Sequence, residues 1–355
     1  MLTSEKTYEV LEKWETLITH RNIKQAKELK QEIETVFEDD KELSQSKKYV
    51  FLSARYYFLQ KNYSQANTII EKIGSFSDES STFYYQFFKG IHSYNLKKYE
   101  DALESYYLAE KHLDQIPPAE QAEFHYKIAS VYYQIKESLM SINYTQRALK
   151  IFQKHDNYRL RQSDCSMLLA LNYIDMKQFS LAEEEFHEAR DKAQKAGNKQ
   201  ALALVNHNLG LMYAEQDLSE AAIRYLTDVI ESGNHDYFLQ TMFLLTREHF
   251  KLGRIELAKE WLRKGEALAE ELGNNEYQMK LKLLHAIHLG TEEFEKTFKE
   301  GISYFQNENL WLDVEEYAQI FARFYLQNQE YRKATEYYEI TLKAKNMINK
   351  MEALI

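Results

Sequence analysis

The segment Gly90–Tyr106, GIHSYNLKKYEDALESY, carries the two signatures that decide the fold. In the first signature, the opening glycine precedes Tyr94 by four positions, which places both residues on one face of a helix. In the second, Tyr99 precedes Ala102 by three positions, and the closing tyrosine follows four positions further on. The small alanine marks a place where a neighbouring helix approaches closely, and the rings pack between helices. The segment therefore predicts two packed helices joined by a short turn.

Both signatures recur along the chain, and the second returns about every forty residues. The second is found again in Tyr63/Ala66/Ile70, Phe179/Ala182/Phe186 and Tyr331/Ala334/Tyr338, with weaker copies around Ala26, Ala222 and Ala258. The first is found again in Ala129–Tyr132, Ala170–Tyr173 and Gly210–Tyr213. Helix pairs repeated in this way are typical of the tetratricopeptide-type repeat, whose consensus length is about 34 residues. The longer interval indicates longer helices or wider turns.

The anchor residue of the second signature sets the number of repeats. A helix pair of this kind cannot bury its apolar face alone, so successive pairs stack around a shared core. We predict an all-α right-handed superhelix of about nine tetratricopeptide-type helix pairs, a single solenoid over residues 1–355 with a short C-terminal helix at about 343–355. The anchors, with Ser141 as a substitute and a degenerate copy near Thr297, are Ala26, Ala66, Ala102, Ser141, Ala182, Ala222, Ala258, Thr297 and Ala334.

The composition agrees with a helical repeat. Only 2 prolines and 10 glycines occur in 355 residues, too few turn-formers for many short strands. The adjacent Pro117 and Pro118 are predicted to interrupt one turn between repeats, because the residue before a proline is disfavoured in the α region. The single cysteine, Cys165, excludes an internal disulfide and is predicted to be a small core residue.

Charge and hydropathy limit the partners. With 45 basic and 55 acidic residues the net charge is −10, so the chain is predicted not to bind DNA directly. Short basic pairs such as Lys47–Lys48 and Arg159–Arg161 are interpreted as solvated surface. No apolar run is long enough to span a bilayer, and the opening Met1–Val10 is polar rather than signal-like. We therefore predict a cytoplasmic protein with no membrane partner.

Motifs for cofactor or metal chemistry are scarce. The glycines are scattered singly and form no phosphate-binding loop. His285 and His288 share one helical face, but no third ligand is suitably spaced, so we expect neither a metal nor a cofactor. Repeat proteins of this type work through extended surfaces that bind peptides or protein partners.

A polar inner face is predicted on the first helix of each pair. We align the first helices on Gly90, Ala129, Ala170, Gly210, Thr246 and Ala322, and helical periodicity then places positions −2, +1 and +5 toward the groove. A carboxamide both donates and accepts, so one asparagine can hold the N–H and C=O of a peptide unit. Plain solvation of the groove remains the alternative. The polar residues in these slots are Asn95, Gln134, Asp175, Asn208, Glu215, Arg247, Lys251, Arg323 and Gln327.

Asn172 has two readings. It lies two residues beyond Ala170 and therefore either joins the peptide-binding face or bonds a neighbouring helix.

Several segments resemble the Rap family of bacillary response-regulator aspartate phosphatases, which are controlled by secreted signalling peptides. The segments are Leu171–Phe179 (LNYIDMKQF), Asn206–Gly210 (NHNLG), Leu11–Trp14, Ala26–Ile33 and Ala122–Lys127. The resemblance covers nearly the whole chain. It implies a quorum-sensing receptor that binds a short secreted and reimported peptide in its concave groove. Asp175 and Asn208 match the family's Asp and Asn that anchor the bound peptide.

The organisation departs from the Rap pattern at the amino-terminal end. Rap proteins carry a separate three-helix bundle and a long connector, whereas Tyr56–Ile73 already has the repeat pattern here. This shorter organisation resembles the receptor part of NprR, a related peptide-controlled regulator with a DNA-binding helix-turn-helix in front. The sequence shows no helix-turn-helix, and whether such a domain precedes this segment stays open.

The resemblance also implies a protein partner, a sporulation- or competence-type response regulator or a fused transcriptional module. We expect the amino-terminal pairs, about 1–75, to contact the receiver domain and the repeats at about 76–342 to bind the peptide. A homo-oligomer stays open.

Two alternatives to the receptor reading remain. One is a Rap-like phosphatase that hydrolyses the receiver's aspartyl phosphate, so whether the chain is an enzyme is undecided. Gln45, after the acidic run Glu38–Asp40, is then the candidate catalytic residue that orients the attacking water. The other alternative is a generic protein-interaction scaffold.

Overall fold

The structure, a computed structural model, describes residues 4–37, 46–154, 156–233, 237–290 and 292–353. Within these ranges it contains eighteen α-helices and no strand. In chain order they are α1 Ser4–Thr19, α2 Ile23–Phe37, α3 Lys47–Leu59, α4 Tyr63–Gly74, α5 Glu79–Asn95, α6 Tyr99–Glu110, α7 Pro118–Gln134, α8 Ser138–Phe152, α9 Arg159–Asp175, α10 Phe179–Lys195, α11 Lys199–Glu215, α12 Ser219–Glu231, α13 Phe238–Lys251, α14 Ile255–Glu271, α15 Asn275–Leu289, α16 Phe294–Asn307, α17 Trp311–Gln327 and α18 Tyr331–Ala353.

The helices follow one another as nine pairs, and the anchor residue holds the same place in every pair. Each anchor is the fourth residue of the second helix and is buried, from Ala26 in α2 to Ala334 in α18. The substitute Ser141 and the degenerate Thr297 are buried at this position too. The predicted all-α fold of about nine tetratricopeptide-type pairs is confirmed.

The small residue of the first signature explains how tightly the two helices of a pair approach. A Cβ added at Gly90 on α5 would lie 2.4 Å from the ring of Tyr106 on α6. A Cβ added at Gly210 on α11 would lie 2.5 Å from Leu226 on α12. In both pairs the partner is the residue four positions after the anchor, so the two signatures describe one contact.

The turn inside a pair also repeats. In eight of the nine pairs, the residue two positions before the second helix has a positive φ, and only one of these residues is glycine. They are Arg21, Lys61, Lys97, Lys136, Lys177, Asp217, Gly253 and Gln329. This left-handed residue ends the first helix and lets the second helix turn back against it.

The chain divides into two compact units, unit 1 with residues 1–172 and unit 2 with residues 173–354. Unit 1 has an aromatic core that includes Phe83, Phe87 and Phe124. At its amino-terminal end the fully buried Trp14 donates from Nε1 to the carbonyl of Ala26 at 3.0 Å, which ties α1 to α2. The prediction of a single solenoid domain over 1–355 stays a prediction.

In unit 2 the last two pairs share a second aromatic core, with Phe298, Phe305 and Phe321 all fully buried. The final helix α18 runs without a break from Tyr331 to Ala353, so residues 343–353 continue this helix and do not form the separate C-terminal helix that the sequence predicted. The continuous helix follows from the sequence, because no glycine or proline interrupts it.

Two smaller predictions about unit 1 are confirmed. Pro118 is the first residue of α7 and Pro117 immediately precedes it, so the two prolines separate the third and fourth pairs. Proline suits the first turn of a helix because its missing N–H has no partner there in any case. Cys165 is fully buried in the core.

Candidate functional site

In unit 2 the first helices of four successive pairs line a pocket of about 340 Å³, the carboxyl-terminal pocket. Three residues that were predicted to face the groove, Glu215 on α11 and Arg247 and Lys251 on α13, lie in its wall. The other lining residues come from the same two helices, the turn after α11, and helices α15 and α17: Ala214, Asp217, Phe243, Leu284, Ile287, His288, Glu316, Tyr317 and Ile320.

A fully buried carboxylate fixes the cations of this pocket. Glu248 on α13 is 0% exposed and accepts from Arg247 Nε at 2.8 Å and from Ser219 Oγ at 2.7 Å. Lys251 Nζ lies 3.4 Å from Glu248 and 3.0 Å from Asp217. Because a buried carboxylate needs such partners, Arg247 and Lys251 are held in place before any ligand arrives.

Two other carboxylates in the pocket lack such compensation. Among the described residues, neither Glu215 nor Glu316 has an ion-pair partner within 4 Å. Burial raises the pKa of Glu215 and that of Glu316, and Arg247 opposes the rise in both. Partly desolvated carboxylates of this kind favour a ligand group that is cationic or donates hydrogen bonds.

The opposite side of the carboxyl-terminal pocket is apolar. Leu284, Ile287 and Ile320 line it. The His288 ring stacks on Phe250 with centroids 4.5 Å apart and an angle of 4° between the planes. Burial lowers the pKa of His288, so its ring is uncharged at neutral pH and belongs to the apolar side. The pocket therefore offers separate places for a charged group and an apolar group.

Asn208 lies on the same face of α11 as Glu215, seven residues or about two turns earlier. It is half-buried, and its Nδ2 donates to the Leu204 carbonyl one turn before it at 2.8 Å. Its side-chain oxygen accepts no hydrogen bond from any described residue. This leaves one amide hydrogen and the oxygen for a ligand backbone, as a peptide clamp requires.

The remaining predicted residues of unit 2 lie outside the pocket lining. Asp175 is exposed as the last residue of α9, and Arg323 and Gln327 are exposed on α17. Their roles in peptide binding stay predictions.

Asn172 belongs to unit 1, and the structure removes it from the peptide-binding face. It is 0% exposed, and its Nδ2 donates to Ser141 Oγ on α8 at 2.9 Å and to the Leu168 carbonyl at 2.7 Å. The peptide-binding assignment of Asn172 was therefore wrong, and its other reading, a bond to a neighbouring helix, is confirmed. The anchor at Ser141 explains this, because a serine hydroxyl in place of alanine supplies the partner.

Unit 1 contains a second pocket of about 270 Å³, the amino-terminal pocket. Predicted residue Asn95 lines it, although its Nδ2 donates to the Ile91 carbonyl at 2.7 Å. Gln134 lies outside the lining, half-buried, and accepts from Tyr99 at 3.5 Å. The other lining residues are Ile18, Thr19, Arg21, Arg55, Phe58, Leu59, Lys61, Tyr63, Phe87, Phe88, Ile91, Glu123, Lys127 and Arg161.

A network of ion pairs surrounds the amino-terminal pocket. Arg161 Nε lies 3.2 Å from Glu123, and Arg161 Nη1 lies 3.3 Å from Asp164. Arg21 also pairs with Asp164, and Arg55 pairs with Glu120. The interpretation of Arg161 as solvated surface was wrong, because its side chain is only 17% exposed.

The sequence analysis did not select the cations of this pocket, although two of them occupy the −2 and +1 slots that it defined for the first helices. Lys127 occupies the −2 slot of Ala129, and Arg55 occupies the +1 slot of Ala54, the equivalent buried residue of α3. Arg21 and Arg161 fall outside those slots and had no such signal.

Other predictions meet the structure only in part. Gln45 and Glu38–Asp40 lie outside the described residues. In the described part of the chain no three His, Cys, Asp or Glu residues cluster as a metal site. A search of the same residues found no helix with the length and apolar character needed to cross a membrane.

Known proteins resemble this chain over nearly its full length. Response regulator aspartate phosphatase I of Bacillus subtilis (strain 168) is 26% identical over 359 residues, covering 97% of this chain and 92% of that protein. The transcriptional activator NprA of Geobacillus stearothermophilus is 28% identical over 360 residues, covering 95% and 87%. The chain is therefore similar to the Rap proteins and to NprA over nearly its full length. The predicted resemblance is confirmed.

A solved structure supports the same relationship. A Rap protein complexed with competence and sporulation factor matches with a TM-score of 0.73 and 25% identity, covering 98% of this chain and 99% of that one. No family model matches the chain. The Rap-like segment 171–179 runs from the end of α9 to the first residue of α10, and the segment 206–210, which contains Asn208, lies in the middle of α11.

Proposed function

We propose that this protein is a cytoplasmic quorum-sensing receptor that binds a short linear signalling peptide on the first-helix face of unit 2 and thereby controls a protein partner. The observation that carries the proposal is the carboxyl-terminal pocket, where Glu215 and Glu316 lie near Arg247 beside an apolar wall. The Rap protein complexed with competence and sporulation factor, similar over 98% of this chain, supports it.

Each part of the site has a role in this proposal. Asn208 holds a peptide unit through its free amide hydrogen and oxygen. Glu215 and Glu316 accept from a basic side chain of the peptide. Asp175, which the resemblance gives as a peptide anchor, faces the peptide's basic end or amino terminus. The apolar wall with Ile287 and Ile320 takes an apolar side chain. A pocket of about 340 Å³ holds only part of a peptide of about five to eight residues, so the rest lies along the helices.

The partner in this proposal is a response regulator. The relative named response regulator aspartate phosphatase I covers 97% of this chain, which also makes phosphatase activity on a phosphorylated receiver domain the second candidate function. The amino-terminal pairs, about 1–75, are the proposed contact surface, and Gln45 remains the proposed catalytic residue. Phosphate loss from a phosphorylated response regulator, with wild type and Gln45→Ala side by side, separates a phosphatase from a sensor.

The test of the receptor function is calorimetric titration with synthetic peptides of about five to eight residues from the exported propeptides of the source organism. The cognate peptide should also raise the melting temperature, because a ligand that binds only the folded state stabilises it. Asn208→Ala and Glu316→Gln should each weaken binding by about 5–150-fold, the equivalent of about 1–3 kcal/mol.

The matched control is Glu266→Gln, which neutralises an exposed glutamate on α14 outside the pocket lining and should bind like wild type. If Asn208→Ala and Asp175→Ala both bind the cognate peptide like wild type, the site assignment is wrong. If no exported peptide binds at all, the receptor proposal fails, and a generic protein-interaction scaffold becomes the better explanation.

A further inference from the structure

The amino-terminal pocket has an aromatic side that is built entirely by unit 1. Phe58 on α3 stacks on Phe88 of α5 with ring centroids 6.2 Å apart, and Phe87 lies beside them in the lining. Leu59 and Ile91 extend this apolar surface. Such a surface favours an apolar or aromatic group, which gains by leaving water and by contact with the rings.

The facing side is cationic, and its charges do not balance. Four partly buried cations, Arg21, Arg55, Lys127 and Arg161, face three carboxylates, Glu120, Glu123 and Asp164. The exposed Lys61 also lines the pocket, so positive charge is in excess here, although the whole chain has a net charge of −10. Because an uncompensated charge is costly away from water, the pocket favours an anion.

Lys127 is the partly buried cation with the weakest compensation. Its Nζ lies 4.0 Å from the nearest carboxylate oxygen, on Glu123, while Arg161 holds that same carboxylate at 3.2 Å. The Tyr126 ring offers only a weak contact, with its centroid 5.7 Å from Nζ. Burial lowers the pKa of Lys127 and Glu123 opposes the change, in agreement with a cation that lacks a close partner.

We propose that the amino-terminal pocket binds a single carboxylate attached to an apolar or aromatic body, with the carboxylate on Lys127 and Arg55 and the body against Phe58 and Leu59. The excess of positive charge matches an anion, and a volume of about 270 Å³, slightly below the usual range of about 300–1,000 Å³ for ligand pockets, limits the ligand to a small group. The carboxylate comes from one of two sources, the C-terminus of a peptide that ends in an apolar residue or a free aryl or alkyl carboxylate. The site uses unit 1 alone and is independent of the proposed peptide site in unit 2.

The test is calorimetric titration of the full chain with acetyl-Gly-Gly-Phe bearing a free C-terminal carboxylate, and with its C-terminal amide. The acid should bind, and the amide should bind at least about tenfold more weakly, because it cannot form charge-assisted bonds. Acetyl-Gly-Gly-Ser should bind more weakly than the phenylalanine acid. 3-Phenylpropanoate separates the sources: binding as tight as the peptide acid assigns the site to a free carboxylate, and weaker binding assigns it to a peptide C-terminus.

Lys127→Gln should weaken binding of the phenylalanine acid by at least about tenfold. Lys89→Gln, which removes an exposed lysine of α5 outside the pocket lining, is the matched control and should bind like wild type. The acid–amide comparison uses wild-type protein, so it holds even if the Lys127 variant fails to fold. Equal binding of acid and amide, no binding of the acid, or equally tight binding of inorganic phosphate would overturn the proposal.

Discussion

Gly90→Ala should destabilise unit 1, although alanine is the better helix former. The new Cβ would lie 2.4, 2.6 and 2.9 Å from three carbons of the Tyr106 ring, about 1 Å inside normal carbon–carbon contact. The ring cannot retreat, because Tyr106 is fully buried against Phe87 and Phe124. Overpacking costs about 1–3 kcal/mol, and the gain in helix propensity offsets at most about 1 kcal/mol. We expect a net loss of about 1–2 kcal/mol.

Thermal unfolding followed by circular dichroism measures this loss. For a unit of this size, about 1–2 kcal/mol corresponds to a fall in melting temperature of about 2–8 °C. Gly265→Ala is the matched control, because its Cβ would meet the flexible end of Leu281 at 3.3 Å, so we expect no change or a rise of up to about 4 °C.

A double variant tests the cause. Tyr106→Leu removes the ring, so Gly90→Ala combined with it should lose less stability than the sum of the two single changes. A Gly90→Ala variant that melts like wild type, or strictly additive losses in the double variant, would refute the idea that this glycine exists to admit the ring.

Three further predictions concern buried polar groups. The Tyr106 hydroxyl is buried with no hydrogen-bond partner among the described residues, so Tyr106→Phe should raise the unfolding free energy by about 1 kcal/mol. Tyr325→Phe loses a 2.7 Å hydrogen bond to Glu295 and should lower the unfolding free energy by a similar amount. Urea unfolding midpoints of the two variants that shift in the same direction would contradict this prediction. Glu248→Gln should lower the unfolding free energy by about 1–3 kcal/mol, since a buried carboxylate with three partners loses its charge, and exposed Glu266→Gln should change it little. Burial lowers the pKa of His207 to about 4, below its unfolded value of 6.5. The unfolded chain therefore binds one more proton between these pH values, and the unfolding free energy falls as the pH drops from about 6.5 toward 4. Urea unfolding at several pH values should show a weaker pH dependence of the unfolding free energy for His207→Gln, but an unchanged one for the exposed His187→Gln.

The repeat register was predictable because one local rule sets it. A small residue is needed wherever two helices of a pair cross closely, so the anchor falls at the fourth position of the second helix even where it is Ser141 or Thr297. The extent of the last helix was harder to predict. Nothing in its composition marks an end at 343, and the anchors alone do not say where a final helix stops.

The site was only partly predictable, because a pocket depends on side-chain direction and on neighbouring helices. Periodicity selected Glu215, Arg247 and Lys251, which all line the carboxyl-terminal pocket. The same periodicity could not tell that Ser141 would hold Asn172 in the core. It also gave no sign of Arg161, whose partners come from tertiary packing and from its own helix.

The left-handed turns have a consequence for how this protein could change over time. At Lys97 or Lys136, glycine would relieve the backbone, since a side chain disfavours positive φ. At Arg21 and Lys61 the same relief would remove a cation from the amino-terminal pocket. At Arg21 and Lys61, a glycine that stabilises the fold would therefore weaken the positive charge of the pocket. At Lys97 and Lys136, the same stabilisation would leave the pocket unchanged. If the proposed carboxylate binding were lost, glycine would become acceptable at positions 21 and 61.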